Sequence, residues 1–352
     1  GGIKVEEIAT WAGLGWNLQA GGVITRTVNG FPDEGTAAVD GYANLFESYP
    51  LYTKLANGYL TADGYALGEY RDMLVAQDAV LGGAYETQPD FLFYNFNGFA
   101  GKLLIDPLTG EPRSMPYRPW KIETPYGPEG SAYLNASGNW KVTTEDGTVY
   151  TFSRKEITTN TAPEGTSVYV SSWYLSKIIS PNRIDSISFS YELVEDVVVD
   201  ANLAAQESDE WPMPGDPRCG AGSKTYAPQA SNQTIDQQFL IAIENNYGQR
   251  VEFEADRSRA DHETGQRLTG IKVYDQEQQI KQFDLYTSYF DSRVNKTGLV
   301  TQNERYLMRL RLDSIAETGT RGGQSLRLPA YVFDYDDTPL PSRKSPNMDY
   351  WG

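Results

Sequence analysis

Leu175-Ser176-Lys177-Ile178 runs through the turn Ser180-Pro181-Asn182 into Ile187, Phe189 and Tyr191, and this stretch decides the fold. Apolar residues at alternate positions give a strand one buried and one wet face, and a short polar turn between two such strands makes a β-hairpin. The same spelling returns three times. Leu240-Ile241-Ala242-Ile243 leads through Tyr247-Gly248-Gln249 to Val251, Phe253 and Ala255. Leu268-Thr269-Gly270-Ile271 leads to Ile280, Phe283 and Leu285, and Leu312-Asp313-Ser314-Ile315 leads to Tyr331, Phe333 and Tyr335. One hairpin repeated implies an extended sheet that grows by stacking, a wall or scaffold before a pocket enzyme.

Around these hairpins the strand signal is strong. Phe91–Phe96 faces Gly101–Asp106 across Asn97-Gly98, and Trp140–Thr143 faces Val149–Phe152 across Asp146-Gly147, both turn dipeptides with a mechanism. The expected fold is therefore all-β and mainly antiparallel, a curled ribbon of repeated hairpins. A minor helical insertion is expected near 41–85, where Leu67, Tyr70, Leu74 and Ala76 share a face that glycines interrupt. The chain divides into a Gly/Trp-rich opening segment with that insertion (1–90), a hairpin sheet (91–192), an exposed acidic and Pro/Gly-rich loop (193–236) and a second hairpin sheet (237–352). All four read as one structural unit, and both chain ends read as cut from something longer.

The 352 residues include 24 Tyr, 13 Phe, 7 Trp and 33 Gly against one Cys, the profile of an aromatic, turn-rich β protein. A formal charge of −17 argues against a nucleic-acid groove and against anionic lipid. No stretch approaches the apolar length of a membrane helix, so no membrane insertion is expected. Cys219 can form no internal disulfide.

Catalytic signals are thin. His262, the single histidine, sits in the charged run Asp256–Glu263 and reads as a solvated loop residue. One His and one Cys leave no basis for a zinc site. Carboxylate pairs such as Glu6/Glu7, Asp33/Glu34, Asp209/Glu210 and Asp336/Asp337 are too common to single out a glycosidase. Calcium needs only clustered loop oxygens, and Asp334-Tyr335-Asp336-Asp337 is the nearest fragment to such a loop. No catalytic, cofactor or metal residue is therefore assigned. Trp11, Trp16, Trp120, Trp140 and Trp173 alternate with polar residues as core positions do; a sugar-stacking platform is the competing reading.

Gly13-Leu14-Gly15-Trp16-Asn17-Leu18, followed by Gly22-Val23-Ile24-Thr25-Arg26, resembles the Rhs/YD-repeat superfamily, in the region similar to SpvB-type and Tc-toxin B-component shells. Phe96–Lys102, Asp146–Phe152, Ser172–Ile178, Arg311–Ile315 and Asp349–Gly352 continue the series, in the manner of large secreted Rhs-like proteins of the bacteroidete lineage. The resemblance implies a sheet ribbon forming part of a hollow shell around a C-terminal effector. It also implies export, as a type IX secretion substrate, to the cell surface or exterior. The expected partners are further segments of the same longer chain and the export machinery. The chain lacks a full Tyr-x-Tyr-Asp-x-x-Gly-Arg repeat, and any effector is expected to lie outside these 352 residues. The structural motif is placed on Gly13, Gly15, Trp16, Gly22, Arg26, Trp173 and Trp351, with Arg26 expected to need a carboxylate if buried.

Overall fold

The structure, a computed structural model, describes residues 7–29, 32–33, 89–105, 111–125, 138–162, 165–199, 203–207, 226–230, 232–294, 296, 300–321, 324–336 and 338–345. The helical expectation at 41–85, Cys219 and Trp351 lie outside them.

The chain folds as an antiparallel β protein. The first strands are β1 (Gly22–Thr27), β2 (Phe91–Phe96), β3 (Phe99–Ile105), β4 (Pro112–Met115), β5 (Lys121–Glu123) and β6 (Trp140–Thr143). Four long strands follow, β7 (Val149–Ala162), β8 (Gly165–Ile179), β9 (Ser186–Val199) and, after a separate pair β10 (Leu203–Glu207) and β11 (Tyr226–Ala230), β12 (Asn232–Asn245). The series ends with β13 (Gln249–Asp256), β14 (Arg267–Asp275), β15 (Gln278–Asp291), β16 (Met308–Arg321), β17 (Gln324–Arg327) and β18 (Tyr331–Val332). A single turn of helix, α1 (Gln302–Arg305), carries a capping box between Thr301 and Glu304. The segment 193–236, expected as loop, supplies strand at both ends because its Val194, Val197–Val199 and Ile235 extend β9 and β12.

Sixteen strands form one sheet, in the order β17-β16-β15-β14-β13-β12-β7-β8-β1-β2-β3-β4 with β5, β6, β9 and β18 off that path. The long strands close a ring. β7 pairs β8 along its length, β8 pairs β9 at Lys177–Ile179, β9 pairs β12, and β12 returns to β7 through Asp236↔Ile157 to Asn232↔Thr161. The sheet thus curls until its two arms share one core. Ile24, Tyr94, Phe96, Trp140, Phe152, Trp173 and Leu175 come from one arm, and Phe189, Leu240, Phe253 and Leu268 from the other. Trp140 and Trp173 are both 0% exposed and meet edge-on, with centroids 6.0 Å apart at 84°.

The repeated Leu-x-x-Ile motif has a structural reason. A strand alternates faces, so residues three apart ordinarily point opposite ways. Each motif carries a β-bulge at the residue after its leucine. Phe152 pairs Leu175 while Thr151 pairs Lys177, skipping Ser176, and Tyr191 pairs Leu240 while Ser190 pairs Ala242, skipping Ile241. Thr269 is skipped between Leu268↔Ala255 and Gly270↔Glu254, and Asp313 between Leu312↔Thr287 and Ser314↔Tyr286. One extra residue restores the phase, so leucine and isoleucine share a face, and the strand twists more strongly there. All four leucines are buried. In the first three motifs the isoleucine packs on the same core as its leucine.

The hairpin turns lie where the sequence places them. Asn97 and Gly98 both have positive φ, 46° and 79°, as a two-residue turn of this hand requires. The fourth unit is shorter than expected. β18 stops at Val332 and Tyr331 is exposed; Phe333 N–H still donates to Asp313 O of β16 at 2.9 Å, while the Phe333 and Tyr335 rings pack against Trp16 and Phe290.

Candidate functional site

The segment Glu7–Gly21 forms no regular strand but is tied to the sheet like a strap. Leu14 N–H donates to Leu310 O at 2.8 Å on β16, and Leu268 N–H on β14 donates to Trp11 O at 2.8 Å. The Trp11 ring lies 5.7 Å from Phe239 on β12 and 6.5 Å from Phe253 on β13. At Gly21 the chain passes Tyr191, Phe189 and Leu240 before entering the sheet as β1, between β2 and β8.

The motif residues hold this path. Trp16 is half-buried, with its ring 4.4 Å from Phe333 and its Nε1–H donating to Tyr335 OH at 2.9 Å. Tyr335 OH in turn donates to Leu312 O at 2.6 Å. A side chain on Gly22 would fall 2.5 Å from Phe96 Cβ, so only glycine lets β1 and β2 approach there. A side chain on Gly13 would press on Leu312 N at 3.0 Å. Gly15 differs, for its added Cβ meets nothing within 4 Å, yet its φ is +74°. Gly15→Val is therefore expected to lower stability by about 1–3 kcal/mol through backbone strain alone. Denaturant melts of Gly15→Val beside Gly15→Asn check this, because asparagine tolerates the left-handed region and should recover much of the loss.

Arg26 on β1 carries a buried partner. Its guanidinium meets Asp90 at 2.5 and 2.7 Å, with side chains 0% and 2% exposed. Asp90 also accepts from Asn29 N–H at 2.9 Å and Asp33 N–H at 3.2 Å, while Asp90 N–H donates to Asp33 Oδ1 at 3.0 Å. Burial pushes the Asp90 carboxyl above its ordinary range; the Arg26 charge and these donors pull the other way without cancelling it.

A second polar knot ties down the start of the strap. Asp261, 1% exposed, takes the Arg259 guanidinium in a fork at 3.0 and 2.8 Å and accepts Leu310 N–H at 2.9 Å. The same arginine donates to Ala9 O at 3.0 Å, and Arg343 donates to Asp261 O at 2.6 Å. Burial acts to raise the Asp261 carboxyl, but the Arg259 fork, Leu310 N–H and the Arg343 charge outweigh it and hold it below the usual range. His262, expected in solvent, is buried, only 9% exposed, with its ring against Gly265. The reason is local: the Asp261 knot and the Arg259 bonds to Ala9 O and Thr10 O draw this part of the loop onto the strap.

Glu6, Glu34, Asp209, Glu210 and Asp337 lie outside the described residues. Asp336 caps its own turn through Thr338 N–H at 2.8 Å and Thr338 Oγ1 at 2.5 Å. Among the described residues no group of three or more His, Cys, Asp or Glu side chains is arranged to hold a metal ion. No described helix is long and apolar enough to cross a membrane, which says nothing of strands.

No protein-family model matches the chain, and no curated protein matches it. Among solved structures, the crystal structure of TcdB2-TccC3-Cdc42 aligns with 92% of this chain at 13% identity and a TM-score of 0.41. The N-terminal domain of effector protein SpvB from Salmonella typhimurium strain LT2 aligns with 94% at 11% identity and a TM-score of 0.24. The chain spans 14% of the length of the first of these and 86% of the second.

Proposed function

We propose that this chain is a non-catalytic shell or scaffold segment of a larger secreted Rhs/YD-repeat-like protein, serving to enclose or present an effector carried elsewhere in that protein. The observation that carries this reading is where the aromatic side chains go. Trp140 and Trp173 are wholly inside, and Trp11 and Trp16 clamp the strap at tilted angles of 53° to Phe239 and Phe333. Trp120 meets Phe99 edge-on at 75°. Sugar rings are gripped by exposed, coplanar aromatic faces beside a cleft, and these rings are arranged for packing instead.

In this reading the partners are neighbouring segments of the same chain and, during transit, the export machinery; the location is the cell surface or exterior. Two ends of the sheet suit such continuation. β4 and β17 each pair on one side only among the described residues, and Leu326, Tyr331 and Val332 are exposed beside the β17 edge. Open edges of this kind recruit further strands. Light scattering on residues 1–352 alone should then show association beyond the 39.2 kDa monomer. Leu326→Lys with Val332→Lys should reduce it. A monodisperse monomer at high concentration would remove the main support for a shell segment.

A further inference from the structure

Glu156 lies near the middle of β7, 8% exposed, in a cage made only of hydroxyls. Its Oε1 accepts from Ser171 Oγ at 3.2 Å and Ser172 Oγ at 3.1 Å, and its Oε2 accepts from Tyr174 OH at 3.0 Å. The position is structurally loaded. Glu156 pairs Ser172 and Ile157 pairs Val170, so Ser171 is an extra residue in β8, and its hydroxyl also reaches Glu156 O at 3.3 Å. One residue further, Ile157↔Asp236 begins the β7–β12 pairing that closes the ring.

The charged and titratable groups around it stand on β1, β7, β9 and β12. On β7 itself stand Arg154 and Lys155, with Lys155 O accepting from Gln238 Nε2 of β12 at 2.9 Å. On β9 the Tyr191 ring is 5.6 Å from Tyr174, and its hydroxyl donates to Leu175 O. On β12 stands Asp236, opposite Ile157. On β1, Arg26 is held by Asp90 and lies over Tyr169. Among the described residues the carboxylate meets three hydroxyl donors and no cation.

We propose that Glu156 is an acid-operated latch on the ring closure, tightening the β7–β8–β12 junction when its carboxyl is protonated and loosening it when ionised. A buried carboxylate without a cation keeps much of its desolvation cost, which neutralisation removes. The protonated acid can donate to one of the three hydroxyls, which then turns from donor to acceptor, so the cage stays satisfied in both states. Burial accordingly pushes the Glu156 carboxyl above its ordinary value, with Tyr174, Ser172 and Ser171 only partly restraining it. The sign follows. A raised carboxyl gives stability that is complete below the unfolded-chain value and is lost as pH rises through the folded value. Burial also keeps the Tyr174 phenol neutral across this range, so the carboxyl is the group that switches.

Hydrogen exchange of β7 and β8 peptides tests this, read as the ratio of Glu156→Gln to wild type at each pH so that intrinsic rates cancel. Glutamine imitates the neutral acid. At pH 8 the variant should exchange several-fold more slowly than wild type, and near pH 4.5 the two should converge. A ratio that does not change with pH, or faster exchange in the variant at both values, overturns the latch. Should Glu156→Gln fail to fold, Ser172→Ala serves, because losing one donor to the ionised form must move the loosening of β7–β8 to higher pH. An unmoved midpoint would equally overturn it.

Discussion

Asp261→Ala is expected to lower the unfolding free energy by about 3–5 kcal/mol, the cost of leaving a buried partner charge uncompensated. The Arg259 guanidinium would lose both arms of its fork while its side chain stays 4% exposed, and Leu310 N–H would lose its acceptor. The loss would not be confined to one pair. Arg259 also holds Ala9 O, so the strap would lose its anchor at the point where Ala9, Leu14 and Leu310 pack together. Arg259→Ala should cost a similar amount. The double variant should cost clearly less than the sum, because one interaction cannot be removed twice. Acid should imitate the substitution. A depressed carboxyl gives stability present above its unfolded-chain value and lost as pH falls through the folded one, so wild type should weaken below about pH 4 in a way Asp261→Ala does not. Urea melts of the three variants check all of this; single losses below about 1 kcal/mol would show that the strap is not anchored here.

The sheet was legible in the sequence because its signals are local. Alternation fixes which residues face inward, and Asn97-Gly98 and Asp146-Gly147 fix where two of the chain reversals fall. The need of Arg26 for a carboxylate was equally readable from its place after Val23 and Ile24. Its partner was not, since Asp90 lies 64 positions away. The strap was illegible for the same reason, magnified. Trp16 finds Tyr335 across 319 positions and Arg259 finds Ala9 across 250, and no periodicity encodes such crossings. His262 misled because a charged sequence neighbourhood describes solvent only when the loop stays out, and Asp261 pulls this one in.

The Leu-x-x-Ile spelling was visible without its meaning. Three-residue spacing contradicts a regular strand, and that conflict was the signal for a bulge, repeated at Ser176, Ile241, Thr269 and Asp313. A sheet built from repeated hairpins needs one unit to recur, and the bulged hairpin is that unit. It sets the inward face on both sides of the kink and increases the local twist of each strand that carries it. Thr269 offers a clean case because its side chain does little, its hydroxyl making one exposed bond to Glu254 O at 3.1 Å.

Thermal and urea unfolding of a variant with one alanine inserted after Thr269, beside Thr269→Ala, tests that claim most directly. Residues two apart share a face, and one bulge lets residues three apart do so; the insertion sets Leu268 and Ile271 four apart across a single bulge, so one of them must leave the core. The insertion should cost at least about 2–5 kcal/mol, the scale of one lost buried leucine, and broaden the transition. Thr269→Ala should cost about 1 kcal/mol or less. Equal, small effects from both would mean that a single extra residue is not what brings leucine and isoleucine onto one face, and the repeated-unit account would fail.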